Sequence, residues 1–592
     1  MRLLKFFVIA FSCSFIAVGC KDSGSQNGSS LQRPDLPNIL LIVTDDQAYG
    51  DLALFDNPQA ETPHLDKLAR EGFLARRFYV SPVCAPTRAS LLTGRYYQRM
   101  GVSGVTRGRE NLNLAEVTLA DIFKENGYVT GLFGKWHNGA HYPYHPLGRG
   151  FDEFVGFTSG HWSNYFDTVI EKNGNPFEAQ GYLPDVLTEE SLSFIGESAA
   201  SGTPFFCYLS FPTPHTPLQV PDAYFEKYKA KGLDDFNATI YGMGENIDRN
   251  VGRILNELNR LNLEEETLVL YMSDNGPLNF RFNKGLKGRK GMVDEGGVRV
   301  PFIARWKGQI SSGSSSQLPL AHIDVLPTSL DLLKIPIEAE SRIDGMSFKP
   351  QLVQKSVVSD EISGNRILFE NWNGRQRALQ GSMLMIDEKL FDLDTDPGQS
   401  QSIRADHQEK YDELASAFAD WESKLPNSDN TAAIPVGYEE YPVTVLPAHE
   451  AILFPPFEFR KDRRHTGIAY HSQHGWAHDW IDFWTSEEAF PAWELDIKTE
   501  GQYQVSIFYA LEEKNLGDEL ILEVAGNTIV IDSLEAFKHS YRPSHDRIAR
   551  EQEAPETDWA IAMIGSVKLE KGPATLSLKA SRIIGESSIE LK

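Results

Sequence analysis

"NILLIVTDD", residues 38–46, holds the fold of this 592-residue chain in miniature: a short apolar run that stops abruptly at two acidic residues, Asp45 and Asp46. Three later runs end in the same manner. "YVTGLF" (128–133) precedes Lys135 and His137, "PFFCYLSF" (204–211) precedes His215, and "TLVLYM" (267–272) precedes Asp274 and Asn275. Amphipathic stretches lie between the runs. From Asn38 to Lys334 this alternation predicts an α/β unit on a mixed, mainly parallel sheet flanked by helices. Ligands of open α/β sheets bind beyond the carboxyl ends of the strands, so parallel neighbours would bring these four polar tails into one crevice. Asp, Asn and His also favour turns for local reasons. That accounts for one or two such endings, but poorly for four.

The intervening stretches carry helix signals. "TPHLDKLAREG" (62–72) keeps its apolar residues on one face and ends at Gly72. Residues 237–261 place Ile240, Ile247, Val251, Ile254, Leu255 and Leu258 on one side, and residues 321–333 form another helix started or kinked near Pro327. Residues 37–334 make up this unit. Residues 335–427 carry short strand-like runs and a final helix near 408–423, which predicts a small α+β subdomain, an antiparallel sheet under one helix. Residues 428–592 are rich in aromatics and alternation. "AWELDIKTEGQYQVSIFYAL" and "ELILEVAGNTIVI" read as antiparallel strands joined by glycine turns, and "VKLEKGPATLSLKA" as a late hairpin, so an all-β, jelly-roll-like sandwich is expected.

The chain is too long for one compact domain. Its formal net charge of −25 argues against a nucleic-acid partner. The same charge means that an anion site must be a local concentration of Arg, Lys and His. At the N-terminus Arg2 and Lys5 precede an apolar stretch, Phe6–Val18, that ends in small residues before Cys20. Residues 1–19 resemble a bacterial lipoprotein signal peptide, with Cys20 lipidated; ordinary secretion is the alternative. Residues 20–36 read as a flexible linker. Export is therefore expected, to the periplasm or the outer-membrane surface of a Gram-negative bacterium, with the membrane touched only through that lipid. Beside Cys20 only Cys84 and Cys207 would remain, so there is no disulfide framework. Cys207, inside an apolar run, reads as a buried inert thiol.

Asp45, Asp46, Asp274 and Asn275 offer three carboxylates and an amide. This all-oxygen set suits a hard cation, Ca²⁺ or Mg²⁺, rather than zinc. A lone Asp pair is most often a solvated turn; two pairs at two strand ends carry more weight. "SPVCAPTRASLLTGR" (81–95) places Cys84 at the start of a helix that Gly94 ends. The amides of a helix start stabilise anions, Pro86 suits the first turn, and Arg88 stands one turn further on the same face. These residues describe a nucleophile at a helix start beside a metal. A packed cysteine is the plainer reading of the thiol alone, but not of the thiol with Arg88 and the strand-end residues.

With "CAPTR" (84–88) followed by "ASLLTGR", the chain resembles the type I, formylglycine-dependent sulfatases of the alkaline-phosphatase-like superfamily. The blocks "PNILLIVTDDQAYGDL" (37–52), "GKWHNG" (134–139), "PHTPLQVP" (214–221), "SDNGP" (273–277) and "KGMVDEGGVRVPFIARWKG" (290–308) agree in order, and the resemblance extends over residues 37–425. It implies that a maturation enzyme converts Cys84 to formylglycine (3-oxoalanine), whose hydrate is the nucleophile. It implies one Ca²⁺, alternatively Mg²⁺, on Asp45, Asp46, Asp274, Asn275 and the modified Cys84. Arg88 would steady the hydrate. Lys135 and Lys290 would bind sulfate oxygens, Lys290 being preferred to Lys287 because it stands five residues before Glu295. His215 would protonate the leaving alcohol, and His137 would deprotonate the remaining hydroxyl so that sulfate is eliminated and the aldehyde returns.

Exported sulfatases similar to this chain commonly act on sulfated polysaccharides, so the resemblance implies a sulfated glycan partner, algal as first choice. Residues 138–166 are rich in His, Tyr and Trp, which suit sugar rings. His161 and Arg149 are taken as substrate-binding, with His141 and His145 as further candidates that packing explains more simply. The C-terminal unit resembles carbohydrate-binding modules, although a plain scaffold fits equally well. Two other functions stay open: a phosphonate or phosphodiester hydrolase of the same superfamily, and a non-catalytic glycan-binding protein if Cys84 is unmodified.

Overall fold

The computed structural model describes residues 36–337, 342–353, 365–426, 433–455, 466–472, 475–550 and 553–592; the expected signal peptide, Cys20 and nearly all of the linker lie outside them. The four apolar runs form the strands Asn38–Thr44, Val129–Lys135, Phe205–Ser210 and Thr267–Ser273. They are parallel neighbours at the middle of an 11-stranded sheet, in the order 267–273, 38–44, 205–210, 129–135. Successive side chains of a strand point to opposite faces. Leu40 and Ile42 enter one core with Ile247, Val251, Ile254 and Leu258, whereas Ile39, Leu41 and Val43 enter the other with Leu91, Leu92, Phe123 and Leu330. A strand covered on both sides has no face left for polar residues, hence the unbroken apolar runs. The sheet is mixed: Arg299–Arg305 runs antiparallel between Thr267–Ser273 and Phe73–Tyr79, and Phe166–Lys172 pairs antiparallel with Asn175–Tyr182 at one edge.

Helices follow the periodic stretches closely. Residues 62–72 give Pro63–Glu71, and residues 237–261 give Asp235–Arg260, capped by the Asp234 carboxylate accepting from Asn237 N at 2.8 Å. The stretch 321–333 begins as a 3₁₀ turn, His322–Asp324, and becomes α-helical at Val325. Pro327 therefore falls in the first turn, where its missing N–H is not needed. The Cys84–Thr93 helix stops at Gly94, whose φ of 67° is left-handed.

Downstream, Ile367–Trp372, Arg375–Gln380, Met383–Ile386 and Lys389–Asp392 form a four-stranded antiparallel meander under the Gln408–Ser423 helix. Its core, with Leu414, Phe418 and Trp421, is continuous with Tyr79, Tyr96 and Val298 of the large unit. The C-terminal region is a two-sheet sandwich around Trp484, Trp493, Leu522 and Leu578. Here two expected hairpins are overturned. Phe490–Ile497 pairs with Gly572–Arg582 in one sheet, and Gly501–Ala510 pairs with Ala560–Leu569 in the other, so each short connection crosses between sheets. Alternation reports that one face of a strand is buried, and both inner faces of a sandwich satisfy it, so it cannot name the partner. Glu519–Val524 and Asn527–Ile531 do form the expected hairpin. No helix among the described residues is long and apolar enough to cross a membrane.

Candidate active site

Backbone bonds carry the strand ends beyond the sheet in step. Phe211 N donates to Val43 O (2.9 Å), Asp274 N to Thr44 O (3.0 Å) and Asp45 N to Thr213 O (3.1 Å). Asp46 then takes a left-handed φ of 65°, and its amide donates to Asp274 Oδ1 at 3.2 Å. The side chains interlock from there. Lys135 Nζ donates to Asp45 Oδ2 (2.6 Å), while Lys290 Nζ (2.6 Å) and Asn275 Nδ2 (2.7 Å) both donate to Asp46 Oδ1. Arg88, one turn into the Cys84 helix and fully buried, grips Asp274 Oδ2 with Nε (3.0 Å) and Nη2 (2.8 Å) and reaches Lys135 O with Nη1 (3.1 Å). Nη1 also donates to Ser210 Oγ, and gripping both partners needs the 129–135 and 205–210 strands close together. Gly134 permits it, because a Cβ there would lie 1.9 Å from Ser210 O.

The cluster keeps buried oxygen atoms in reserve. Asp45 Oδ1, Asp46 Oδ2 and Asn275 Oδ1 are buried without a hydrogen-bond partner among the described residues, an arrangement costly for any polar atom that stays unpaired. Asp45, Cys84 and Asp274 bring ligand atoms within 4.8 Å of one another, as do Asp45, Asp46 and His215. Hard, anionic and partly unpaired donors of this kind fit a Ca²⁺- or Mg²⁺-class cation. Burial and the neighbouring Asp45 push the Asp274 carboxyl up in spite of Arg88. Burial also opposes ionisation of Asp46, but Lys290 and His215 together hold it below the usual range. The Cys84 thiol is raised by burial, with Lys135 and Lys290 only partly opposing. As a thiol, then, Cys84 is a poor nucleophile.

The histidines stand around this cluster in fixed orientations. His137, at φ 63°, has Nε2 2.8 Å from Val105 O, so that nitrogen carries the proton and donates; Nδ1 is buried and has no partner among the described residues. Burial, then Lys135, drives its pKa well below the ordinary value. His215 Nδ1 lies 2.8 Å from Thr216 O and its Nε2 lies 3.9 Å from Asp46 Oδ2. Burial, then Lys290, lowers its pKa as well. His161, 7% exposed, stacks on His215 with ring centroids 6.3 Å apart, and its Nε2 has no hydrogen-bond partner among the described residues.

Arg149 is not brought into this group: its Nη2 donates to Glu116 O (2.7 Å) and its carbonyl accepts from Thr118 Oγ1 (3.2 Å). His141 and His145 are taken up by Glu450 and Glu171. Of the two lysines, Lys287 faces Asp294 at 3.4 Å while Lys290 reaches Asp46 at 2.6 Å. Three participants escaped the sequence reading. Ser210 Oγ donates to Lys135 O (2.6 Å), Arg281 Nη2 donates to Asp46 O (3.0 Å), and Glu553 accepts from Thr216 Oγ1. None of them carries a local signal, because each acts only across the fold.

The profile of the family described as Sulfatase matches residues 37–335, half of the chain. N-acetylgalactosamine-6-sulfatase of Canis lupus familiaris is 33% identical over 355 residues, 54% of this chain and 66% of that enzyme, just under two thirds of its length. The Rattus norvegicus enzyme of the same name is 30% identical over 425 residues, 65% of this chain and 79% of its own. Among solved structures, Ps i-CgsB in complex with k-i-k-neocarrahexaose is 26% identical with a TM-score of 0.61, covering 67% of this chain and 94% of that one. The chain belongs to the sulfatase family, a family of sulfuric ester hydrolases. The matched residues hold the four strand ends and the Cys84 helix.

Proposed function

We propose that this protein hydrolyses sulfate esters of a sulfated glycan, algal in origin, at the strand-end cluster. One observation carries the reading: at one set of strand ends Lys135, Lys290 and Arg88 pair with Asp45, Asp46 and Asp274 respectively, so a divalent cation bound there would leave the cluster net positive in a chain whose net charge is −25. A locally positive site on an acidic protein suits a small anion. Support for a glycan comes from the relatives, two named for N-acetylgalactosamine 6-sulfate and one solved with neocarrahexaose.

Converted to formylglycine by a maturation enzyme, Cys84 would supply a hydrated-aldehyde hydroxyl as nucleophile. A Ca²⁺, alternatively Mg²⁺, held by Asp45, Asp46, Asp274, Asn275 and the modified Cys84, would lower the cost of negative charge beside the sulfate. The other tasks fall to the chain's own side chains. Lys135 and Lys290 present ammonium groups to the sulfate oxygens. Arg88, locked on Asp274, keeps residue 84 in place. His215, its ring held at Nδ1, turns Nε2 to the site and protonates the leaving alcohol; a bound sulfate offsets the Lys290 and Lys135 charges that depress its basicity. His137, held at Nε2 by Val105 O, has Nδ1 available to take a proton from residue 84. His161 offers its unpartnered Nε2 to the sugar. Export as a lipoprotein through residues 1–19 and Cys20 belongs to the same proposal.

The test is sulfate release from a panel of algal and animal sulfated glycans, run beside phosphate monoesters and diesters. Sulfate is expected from at least one glycan, with phosphate esters cleaved about 100-fold more slowly or worse, a discrimination near 2.7 kcal/mol. Faster cleavage of phosphate diesters would overturn the reading. A second expectation concerns the cation. Ca²⁺ at about 100 times its dissociation constant should stabilise the protein by about 2.7 kcal/mol in thermal unfolding, and EDTA should remove the shift. Asp46→Asn should lack the shift altogether; an equal shift in that variant would place the ion elsewhere.

A further inference from the structure

A segment of the C-terminal unit is fastened across the loop that carries His215. Arg547 N donates to Leu218 O (2.9 Å), Gln219 Nε2 to Asp546 Oδ1 (2.7 Å) and Arg547 Nη2 to Val220 O (2.7 Å). Thr168 Oγ1 donates to Glu556 Oε2 at 3.0 Å, and Ile548 packs on the core that holds Leu218 and Val220. Glu553, between these anchors, accepts a hydrogen bond from Thr216 Oγ1. The same oxygen lies 3.1 Å from His215 Nδ1, which also has Thr216 O at 2.8 Å.

A hydroxyl has one proton and two lone pairs. A carboxylate can only accept, so Glu553 takes the Thr216 proton and leaves an oxygen lone pair facing Nδ1. The Thr216 carbonyl can only accept too. Both neighbours of Nδ1 are thereby acceptors, which places the proton on that nitrogen and holds the ring in one plane. Without the carboxylate the hydroxyl is free to turn its own proton toward Nδ1 and oppose this arrangement.

We infer that Glu553 is a positioning residue of the active centre: by holding the Thr216 hydroxyl as an acceptor it fixes the ring of His215, so that Nε2 faces the leaving oxygen. The inference rests on the role proposed above for His215. It makes the C-terminal sandwich part of the reaction apparatus and gives it a task other than carbohydrate binding.

The experiment uses the full-length, matured protein with two aryl sulfates of similar size. 4-Nitrophenyl sulfate releases a phenolate that hardly needs a proton, whereas phenyl sulfate releases one whose conjugate acid has a pKa of about 10. Glu553→Ala, which removes the acceptor altogether, should lower kcat for phenyl sulfate ~10-fold or more and for 4-nitrophenyl sulfate less than about threefold, with KM within about twofold for both. Thr216→Val added to Glu553→Ala removes the opposing proton while the residue 216 carbonyl still accepts from Nδ1, and should restore the ratio of the two rates. Asp546→Asn loosens the segment without touching Thr216 and should leave that ratio unchanged. An equal loss on both substrates, an unchanged ratio in Glu553→Ala, no recovery in the double variant, or a shifted ratio in Asp546→Asn would overturn the inference. If Glu553→Ala does not fold, Glu553→Leu, closer in volume, takes its place under the same outcomes. Wild type that releases sulfate from no glycan of the panel and from neither ester would refute the functional reading, and the inference with it; wild type active on both esters isolates the inference for judgement, and wild type active only on a glycan is judged on that glycan, where Glu553→Ala should lower kcat ~10-fold at unchanged KM and Asp546→Asn should not.

Discussion

Cys84→Ala is expected to lower sulfate release by ~10⁴-fold or more, equivalent to ~5.5 kcal/mol of transition-state stabilisation, while the protein stays folded. The two halves of this expectation have different origins. Removing an attacking group leaves only positioning and electrostatic effects, so the chemical step fails. The structural cost is small, because Cys84 heads its helix and the substitution removes a single sulfur from a site that is 4% exposed. A loss of about 1 kcal/mol would shift Tm by roughly 1–2 °C in a unit of about 300 residues. Thermal unfolding and sulfate assays on the same preparation check both halves. Substantial residual turnover would show that another group attacks the ester.

Arg88→Ala is expected to lose activity and stability together. The guanidinium is fully buried, grips Asp274 Oδ2 through two nitrogens and fastens Lys135 O. Its removal leaves a buried carboxylate whose pKa burial and Asp45 already push up. Breaking one partner of such a pair costs about 3–5 kcal/mol, a fall in Tm of roughly 5–8 °C in a unit of about 300 residues. Arg88→Lys should recover only part of the loss, since one ammonium cannot span Asp274 and the Lys135 carbonyl with the fork geometry of arginine. A Tm unchanged in Arg88→Ala would show that the ion pair does not bind the Cys84 helix to the strand ends.

The contrast with Cys84 separates chemistry from architecture. One residue is expected to matter only to the reaction, the other to both, although they stand four positions apart on the same short helix. The reason is where each points. Cys84 faces the oxygen cluster, whereas Arg88 ties three chain segments that sequence separates by up to 186 positions.

What the sequence disclosed followed from periodicity and chemistry that are local. An apolar run covered on both faces has no polar positions, so "NILLIV" and its three counterparts could be recognised singly, and their polar endings implied a shared crevice once the strands were parallel. The helix at 408–423 and the left-handed stop at Gly94 were equally local. Partner choice was not. In the sandwich, Phe490–Ile497 and Gly501–Ala510 look like a hairpin by pattern and spacing, but each sheet buries one face of alternating residues and the pattern fits either. Arg149 reads as substrate-binding in an aromatic loop, yet its Nη2 donates to the Glu116 carbonyl, away from the strand-end cluster. Glu553 stands 337 positions from Thr216, and nothing in its own neighbourhood hints at a histidine.

The same distinction orders the histidines. His137 and His215 were legible because each follows a strand by a few residues. Their tautomers were not, because these depend on a carbonyl of Val105 in one case and of Thr216 in the other. Those two carbonyls leave opposite ring nitrogens available, Nδ1 on His137 and Nε2 on His215. Two histidines so arranged can carry opposite proton-transfer tasks without exchanging roles.

The most direct measurement is sulfate release as a function of the fraction of protein whose residue 84 bears an aldehyde. Preparations made with graded amounts of a formylglycine-generating enzyme can be assayed for sulfate release, and the aldehyde fraction read by mass spectrometry of the peptide that contains residue 84. The rate should rise in proportion to that fraction and extrapolate to zero where every residue 84 is a thiol. A rate independent of the aldehyde fraction would contradict the assignment of Cys84 as the origin of the nucleophile.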